Sequence, residues 1–288
     1  MSIASRTIAT CALFLLTAAL AWSQSSVSTA PEPGTDTGTV PAAPANPADK
    51  EPAYYLELGG SYSILDRGAP AWKEFSLRFG YTGKKRFTPF VTISTQNRGA
   101  GSQQNYGAYS YLTLNKRLIA IVGASGAPGQ NPILYPKLRT GGTLLMGIIP
   151  KVPGLFLSTG YSDLRFPGGS GGGIGSLGAI YYGKVVLSAS VNFNHSWPGG
   201  FNSQSAQAGF QYGHQGKYYI GAGVGGGDAA YALIGLVPLN VKFNSLSANV
   251  FYQKWLTRRF GLICRYDYLN EVAFFQKHGV YLGAFFGF

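Results

Sequence analysis

The chain has 288 residues, a formal net charge of +12 and only two cysteines. Beyond residue 52, seven acidic residues stand against twenty-one Lys and Arg, and aromatic residues are abundant. Because Cys11 lies in an apolar N-terminal stretch, Cys264 is alone in the remainder, which excludes an internal disulfide and a cysteine-based zinc site there. No run of about 18 apolar residues follows residue 23, and this argues against a helical membrane protein.

The N-terminus has the pattern of a secretory signal peptide. Arg6 is the single charge in the first thirty residues, and it precedes the apolar segment Ile8 to Leu20 and the small-residue site Ala21-Trp22-Ser23. We therefore expect a signal peptide over residues 1–23, cleaved after Ser23, with Ala21 as the competing site. Residues 24–52 are rich in proline and lack aromatic side chains, so we expect a disordered periplasmic linker there.

Alternation of apolar and polar residues dominates the chain from residue 53 onward. In the segment VVLSASVNFNHS, the odd-numbered residues Val185 to Phe193 are apolar, whereas the even-numbered residues Ser188 to Asn194 are polar. Successive side chains of a strand point to opposite faces, so the pattern predicts a two-sided sheet. Fourteen strands are expected, at about residues 53–63, 72–82, 87–97, 104–114, 117–127, 137–149, 154–164, 171–182, 185–195, 203–214, 217–226, 241–254, 260–270 and 277–288.

The connections between these strands alternate in length and composition. Every second one is short and basic, for example GKKR at 83–86 and LTRR at 256–259, and the intervening ones are mostly longer. Strands of about ten to twelve residues exceed those of most soluble sheets, which argues against a β-sandwich. The sequence therefore predicts an all-β fold: a transmembrane, antiparallel, up-and-down β-barrel of about 14 strands (range 12–16) over residues 53–288, in the outer membrane, with both termini periplasmic.

The last ten residues, GVYLGAFFGF, carry no charged side chain. This ending resembles the terminal signal that the bacterial barrel-assembly machinery reads. That signal has a polar residue, a glycine two positions later, and aromatics at the third-last and last positions. These positions are Tyr281, Gly283, Phe286 and Phe288, and the assembly machinery is therefore an expected partner. Alternation turns Phe286 and Phe288 toward lipid and Tyr281 toward the lumen.

Two stretches resemble the YaiO family of outer-membrane β-barrel proteins. One is YYLELGGSYSIL at 54–65, followed by Trp72, and the other is YLNEVAFFQKHGVYLGAFFGF at 268–288. The layout of strands and turns between them is also similar, so the resemblance covers about residues 53–288. It implies an outer-membrane barrel and, from some members, a link to surface polysaccharide. Several relatives carry helical repeats before the barrel, where this chain has only a short linker.

Alternation places six charged residues on the inward face of the predicted barrel. They are Glu57, Glu74, Arg78, Arg139, Arg265 and Asp267. An Arg or Lys that faces lipid at the midplane costs about 2–4 kcal/mol, which favours inward placement. One interpretation is a cationic lumen that selects anions or sugar acids. The other is a network of inward ion pairs, for example between Arg265 and a carboxylate of a neighbouring strand, that fills a narrow barrel.

Two further features bear on the lumen and the membrane. The loop at 229–239 is apolar enough to fold inside the barrel, which would narrow any path. The basic turns are expected to meet anionic phospholipid headgroups of the inner leaflet, a role that needs no channel. Outer-membrane lipids are therefore expected partners.

The sequence offers little support for catalysis. His195 and Ser196 lie where a strand meets a long loop, but adjacent strand residues point to opposite faces, and no third group that would orient the histidine is evident. His214 and His278 are expected at periplasmic strand ends. Scattered histidines and few carboxylates predict no metal site and no cofactor. Nucleic acid is not an expected partner.

Three hypotheses of function follow. The leading one is a non-enzymatic barrel that forms a narrow channel for anionic or saccharide solutes, or that takes part in polysaccharide export. Surface polysaccharide or an anionic solute would then be its partner. The second is a structural or surface-interaction barrel with a filled lumen, and the third is a lipid hydrolase sited at the rim. Fixed positive charge predicts a small, anion-preferring conductance for the first.

Overall fold

The chain folds into a closed β-barrel in which each strand pairs antiparallel with its neighbours. The computed structural model describes residues 52–83, 86–99, 101–129, 134–149, 152, 154–229, 232–234, 237–239, 243–271 and 275–288. The predicted signal peptide and residues 24–51 of the predicted linker lie outside these ranges. Among the residues that are described, no helix is both long and apolar enough to cross a membrane.

Fourteen strands of nine to fourteen residues form the barrel, and two short ones form a separate hairpin. The barrel strands are β1 Tyr54–Leu65, β2 Trp72–Tyr81, β3 Phe87–Asn97, β4 Ser102–Asn115, β5 Leu118–Gly126, β6 Leu138–Met146, β7 Leu155–Arg165, β8 Gly171–Tyr182, β9 Val185–Trp197, β10 Phe201–His214, β11 Tyr218–Ala229, β14 Phe243–Trp255, β15 Phe260–Glu271 and β16 Phe275–Gly287. The hairpin strands are β12 Ala232–Ile234 and β13 Val237–Leu239. The predicted fold class and strand number are confirmed.

The first and last strands close the barrel. β1 pairs with β16 from Tyr55 opposite Gly287 to Leu65 opposite Lys277. Beyond the last ladder pair, the Tyr54 amide donates to the Phe288 carbonyl over 2.9 Å and the Phe288 amide donates to the Tyr54 carbonyl over 3.1 Å. A closed sheet leaves no strand edge unpaired, which is the condition for a sheet to sit in lipid.

Side chains alternate between an apolar outer face and an inner face of mixed character. On β1, Tyr54, Leu58 and Tyr62 are exposed on the outside, whereas Tyr55 and Glu57 are buried inside. The same period of two continues to β16, where Val280, Leu282 and Phe286 are exposed. Large apolar groups exposed on every strand would be unfavourable in water and suit a hydrocarbon environment.

The two ends of the barrel differ in their connections, and we name them accordingly. The turn end carries the connections 82–86, 116–117, 147–154, 183–184, 215–217 and 256–259 and also both ends of the barrel chain. The loop end carries the other connections, including 127–137 and 230–242. That the turn end faces the periplasm remains a prediction from the connection lengths.

Two details of the structure bear on the sequence-based predictions. The segment 229–239, predicted as a loop, begins at the end of β11 and contains the hairpin strands β12 and β13. Its side chains lie outside the described residues. His278 was expected at a periplasmic strand end, but it lies near the start of β16 at the loop end, opposite Ile64. There its Nδ1 is 2.7 Å from the Tyr266 hydroxyl on the outer face.

Candidate functional site: the barrel lumen

The turn end of the lumen is filled by a layer of apolar and aromatic side chains. We call this layer the aromatic plug. Its members are Tyr55, Phe90, Tyr111, Ile119, Leu145, Phe156, Ile180, Tyr182, Val186, Tyr219, Phe251, Trp255, Ile263, Tyr281 and Phe285. The half-buried Ile121 packs against both halves of it. These side chains come from strands all around the barrel and form two clusters that pack inside the lumen at this end.

Ring-on-ring contacts fix the geometry of the plug. Trp255 contacts Phe285 edge-to-face at 5.1 Å between ring centroids, and Tyr55 stacks with Phe285 at 6.3 Å. Phe90 stacks on Tyr109 at 5.1 Å. Aromatic pairs in these arrangements contribute about 0.5–1.5 kcal/mol each beyond the area they bury. The plug is therefore a packed layer that resists opening.

Above the plug, a belt of half-buried polar side chains lines the middle of the lumen. Its members are Ser61, Ser76, Thr92, Tyr109, Ser158, Ser176, Ser190, Gln207, Asn249 and Asp267. All but Asp267 are uncharged. None of the inward-facing residues between the strand ends is exposed among those described, so any water-filled path in this part of the lumen is narrow.

Three cross-strand pairs of amide and hydroxyl side chains form a ladder on β9 and β10. The Gln207 amide donates to the Ser190 hydroxyl over 2.8 Å. Two residues further along β9 toward the loop end, the Asn192 amide donates to the Ser205 hydroxyl over 3.4 Å. After two more residues, the Asn194 amide donates to the Ser203 hydroxyl over 3.1 Å. We call these three pairs the amide ladder. Its members are Ser190 with Gln207, Asn192 with Ser205, and Asn194 with Ser203.

Two side-chain oxygens of the amide ladder accept no hydrogen bond from the described residues. Asn192 is fully buried and Asn194 is nearly so, yet no described residue donates a hydrogen bond to either side-chain oxygen. On the neighbouring strand β11, Gly225 lies opposite Gln207 and Gly227 opposite Ser205, so small residues flank the ladder. A buried amide oxygen without a donor is costly, so a hydroxyl donor that reached it would stabilise it.

On the opposite wall, the charged residues neutralise one another. Arg78 of β2 and Glu57 of β1 form a buried ion pair across the strand boundary. The Tyr55 hydroxyl donates to Glu57 Oε2 over 2.6 Å, the Tyr281 hydroxyl donates to Glu57 Oε1 over 3.2 Å, and Arg78 Nη1 donates to the Tyr109 hydroxyl over 3.3 Å. Several hydrogen bonds to each partner are what make a buried ion pair tolerable.

The second inward ion pair lies within a single strand. Arg265 Nε donates to Asp267 Oδ2 over 2.7 Å, and its guanidinium lies 5.0 Å from the centre of the Tyr281 ring. The example considered from sequence was a carboxylate of a neighbouring strand, whereas this pair joins residues i and i+2 of β15. Both residues face the lumen because the side-chain period of a strand is two.

A third polar group lies at the loop end of the lumen. The Arg98 guanidinium sits 3.6 Å from the centre of the Trp72 ring and its Nε donates to Gln96 over 2.7 Å. The Gln96 amide Nε2 in turn donates to Glu74 Oε2 over 3.5 Å. Alternation predicted Glu74 on the inward face, whereas Arg98 and Gln96 were not predicted, because a single sequence does not show which residues of β2 and β3 lie side by side.

The loop between β5 and β6 is anchored to the inner wall at the loop end. The amides of Leu134 and Tyr135 both donate to Gln103 Oε1 over 2.8 Å. Gln103 faces inward on β4, and Leu134 and Tyr135 are fully buried with Ala127. This loop therefore narrows the loop end, a role that sequence analysis considered for 229–239.

The charges that face the lumen are nearly balanced among the described residues. Five are basic and four are acidic: Arg78, Arg98, Arg139, Arg265 and Lys277 against Glu57, Glu74, Asp267 and Glu271. All six sequence-predicted lumen residues lie on the inward face. The structure brings Glu57 together with Arg78, and Arg265 with Asp267, while Arg139 lies on a separate wall, on β6. Most of the positive charge of the barrel thus lies elsewhere.

The four residues of the predicted assembly signal lie on both faces of β16. Tyr281 is buried in the lumen, and Gly283 lies beside its ring. Phe286 and Phe288 are exposed on the outside, where Phe288 stacks on Tyr54 at 5.7 Å between ring centroids. Their part in assembly remains a prediction.

The histidine and serine at the rim do not form a common site. Ser196 is buried in the lumen, whereas His195 lies on the outer face with its Nδ1 at 2.9 Å from Asn202 Oδ1. The sheet separates the two side chains. Among the described residues, no group of three or more His, Cys, Asp or Glu side chains is placed to hold a metal ion.

Solved structures share this architecture. A bacterial polysaccharide outer-membrane secretin superposes with a TM-score of 0.56 at 8% identity, over 83% of this chain and 100% of its own. An outer-membrane channel from Pseudomonas putida F1 gives 0.48 at 12% identity, over 85% and 100%, and an anion-selective porin from Comamonas acidovorans gives 0.43 at 11%, over 82% and 98%. At these identities the likeness concerns the fold alone.

No curated protein gives a significant match to the chain. The YaiO membrane β-barrel domain, in contrast, matches residues 53–232, which begin where the predicted barrel begins and make up more than half of the chain. The C-terminal stretch that also resembled this family lies beyond the matched residues. With a closed fourteen-stranded barrel and an apolar outer face, the chain belongs to the YaiO family of outer-membrane β-barrels.

Proposed function

We propose that the protein is a narrow outer-membrane channel for uncharged, hydroxyl-rich solutes such as saccharides, closed at the turn end by the aromatic plug. The observation that carries this proposal is the amide ladder, in which the side-chain oxygens of Asn192 and Asn194 are buried and receive no hydrogen bond from the described residues. Sugar hydroxyls donate and accept hydrogen bonds, and uncharged amides and serine hydroxyls match them without the desolvation cost of a charge.

The charge distribution supports a polar solute over a strongly charged one. The inward-facing ion pairs Glu57–Arg78 and Arg265–Asp267 are neutral overall, so their field in the lumen is short-ranged. We expect only a weak preference for anions, since five basic residues face four acidic ones. Export of a polysaccharide would use the same wall as the passage of small sugars.

A filled, structural barrel is the second candidate. The plug and the burial of the inward-facing residues favour it, and fourteen strands lie between barrels filled by side chains and porins with open channels. The two candidates differ in one measurable respect, because only a channel passes solute once its plug is weakened.

Swelling of proteoliposomes tests the proposal. Wild-type protein should admit neutral mono- and disaccharides slowly, and Phe285→Ala with Trp255→Ala should raise the rate at least fivefold, because both rings lie in the plug. In this opened background, Asn192→Leu with Asn194→Leu should slow saccharide entry more than gluconate entry, since leucine preserves volume and removes the polar atoms.

The control is Phe193→Leu, which alters the outer face of the same strand and should leave both rates unchanged. Entry rates that do not respond to the ladder variant would contradict the proposed solute class. No swelling with either wild type or the plug variant would favour the structural barrel. Oligosaccharides of increasing length separate the passage of small sugars from polysaccharide export.

A further inference from the structure

Exposed basic side chains surround the turn end of the barrel. We call this set the basic collar, and its described members are Arg86, Lys116, Arg117, Lys184, Lys217, Lys254, Arg258 and Arg259. Seven of them come from five of the six connections at this end. The eighth, Lys254, lies at the end of β14. The described acidic residues outside the lumen, Asp66, Asp163 and Asp228, all lie at the loop end. The collar is therefore a positive surface without compensating acidic side chains among the described residues.

The collar borders a girdle of outward-facing aromatic rings. The rings exposed near the turn end include Tyr54, Phe87, Tyr181, Tyr212, Tyr252, Phe286 and Phe288. Aromatic girdles of membrane barrels lie at the level of the lipid headgroups. The basic side chains thus emerge where the apolar surface ends, at the height at which lipid phosphates would lie.

One segment of the collar concentrates charge next to aromatic rings. Lys254 lies opposite Tyr218 in the ladder between β11 and β14, and the Tyr218 and Tyr252 rings lie 6.3 Å apart. The Trp255 amide donates to the Lys217 carbonyl over 3.1 Å, which holds the two neighbouring connections together. Arg259 follows in the β14–β15 connection and is also exposed. Three cations, two from adjacent connections and one from the end of β14, therefore lie along the edge of the girdle.

We infer that the basic collar binds the phosphates of anionic phospholipids, most strongly at Lys217, Lys254 and Arg259. A partner protein would require a positive patch on one side, whereas this charge encircles the barrel just beyond its lipid-facing surface, as a layer of headgroups does. Each Lys or Arg near an anionic membrane surface strengthens binding about fivefold. The inference concerns the outside of the barrel and is independent of whether the lumen conducts.

Native mass spectrometry of the detergent-solubilised barrel tests it with dioctanoyl-phosphatidylglycerol and dioctanoyl-phosphatidylcholine as probes. At about 0.1 M salt, wild-type protein should bind phosphatidylglycerol at least tenfold more tightly, and the difference should shrink toward 1 M salt as the Debye length falls from about 10 Å to about 3 Å. Lys217→Gln with Lys254→Gln and Arg259→Gln should lose at least tenfold in affinity for phosphatidylglycerol and keep its affinity for phosphatidylcholine.

The matched control removes three exposed charges at the loop end, through Arg67→Gln, Lys73→Gln and Arg165→Gln. It should stay within twofold of wild type for both lipids. Equal affinity of the wild type for the two lipids would overturn the inference, as would an equal loss in the control. Binding of soluble glycerol 3-phosphate as tight as that of phosphatidylglycerol would assign the collar to free anions and would also overturn it.

Discussion

The contact between Gly59 and Tyr281 at the closing seam gives the sharpest test of the packing. Gly59 of β1 lies opposite Gly283 of β16, and the Tyr281 ring crosses directly over it. A Cβ at residue 59 would overlap the Tyr281 hydroxyl and would stand 2.8 Å from the Leu282 carbonyl oxygen. Gly59→Ala must therefore displace the ring from its place above β1.

The expected cost has two parts. Forcing an additional methyl group into a packed site costs about 1–3 kcal/mol. Moving the Tyr281 hydroxyl also removes its 3.2 Å hydrogen bond to Glu57, worth about 1.5–3 kcal/mol when the acceptor is charged, although Arg78 and Tyr55 continue to hold that carboxylate. We expect the free energy of unfolding to fall by about 2–4 kcal/mol, because the two parts overlap.

Urea unfolding of the refolded barrel in vesicles measures this change without the assembly machinery. The matched control is Gly175→Ala on β8, where the nearest atom to a new Cβ is the Phe193 carbonyl oxygen at 3.9 Å, so stability should change by less than about 1 kcal/mol. Adding Tyr281→Ala should reduce the cost of Gly59→Ala but not remove it, because the ring is then absent while the Leu282 carbonyl oxygen still lies 2.8 Å from the new Cβ. Equal unfolding curves for Gly59→Ala and Gly175→Ala would refute the packing argument.

Three other predictions address assembly, the lipid face and the loop end. Deletion of Phe288 removes the terminal hydrogen bonds to β1 and should leave unassembled chain in the periplasm; fractionation tests this, and unchanged surface levels would count against it. Val250→Arg places a charge on the outer face of β14 and should lower the free energy of unfolding in vesicles by about 2–4 kcal/mol. A loss below about 0.5 kcal/mol would argue that this face is not in lipid. Gln103→Ala removes the acceptor of the Leu134 and Tyr135 amides, so hydrogen exchange at both should rise at least tenfold, whereas unchanged exchange would show that other contacts hold the loop.

The faces of the strands could be predicted from sequence because a strand has a side-chain period of two. Tyr281 was assigned to the lumen and Phe286 and Phe288 to lipid on alternation alone, and burial in the structure agrees. Strand ends were placed within a few residues, since Gly, Pro and basic residues mark most connections. These features are local, so a single sequence carries them.

The partners of the lumen residues could not be predicted, because they depend on the register between strands. Asn194 meets Ser203 only because β9 and β10 are joined by a three-residue connection that sets their register. Tyr281 reaches Glu57 from the other end of the chain, which no local pattern reveals. The anchoring of Leu134 by Gln103 likewise joins a loop to a strand that precedes it by some thirty residues.

Conductance in a planar bilayer tests most directly the central claim that a narrow polar lumen is closed by the aromatic plug. Wild-type protein should show small, infrequent openings with a weak anion preference in a salt gradient, and Phe285→Ala with Trp255→Ala should show larger and longer ones at similar selectivity. Complete silence of both proteins, or a wide and permanently open conductance in the wild type, would contradict the account.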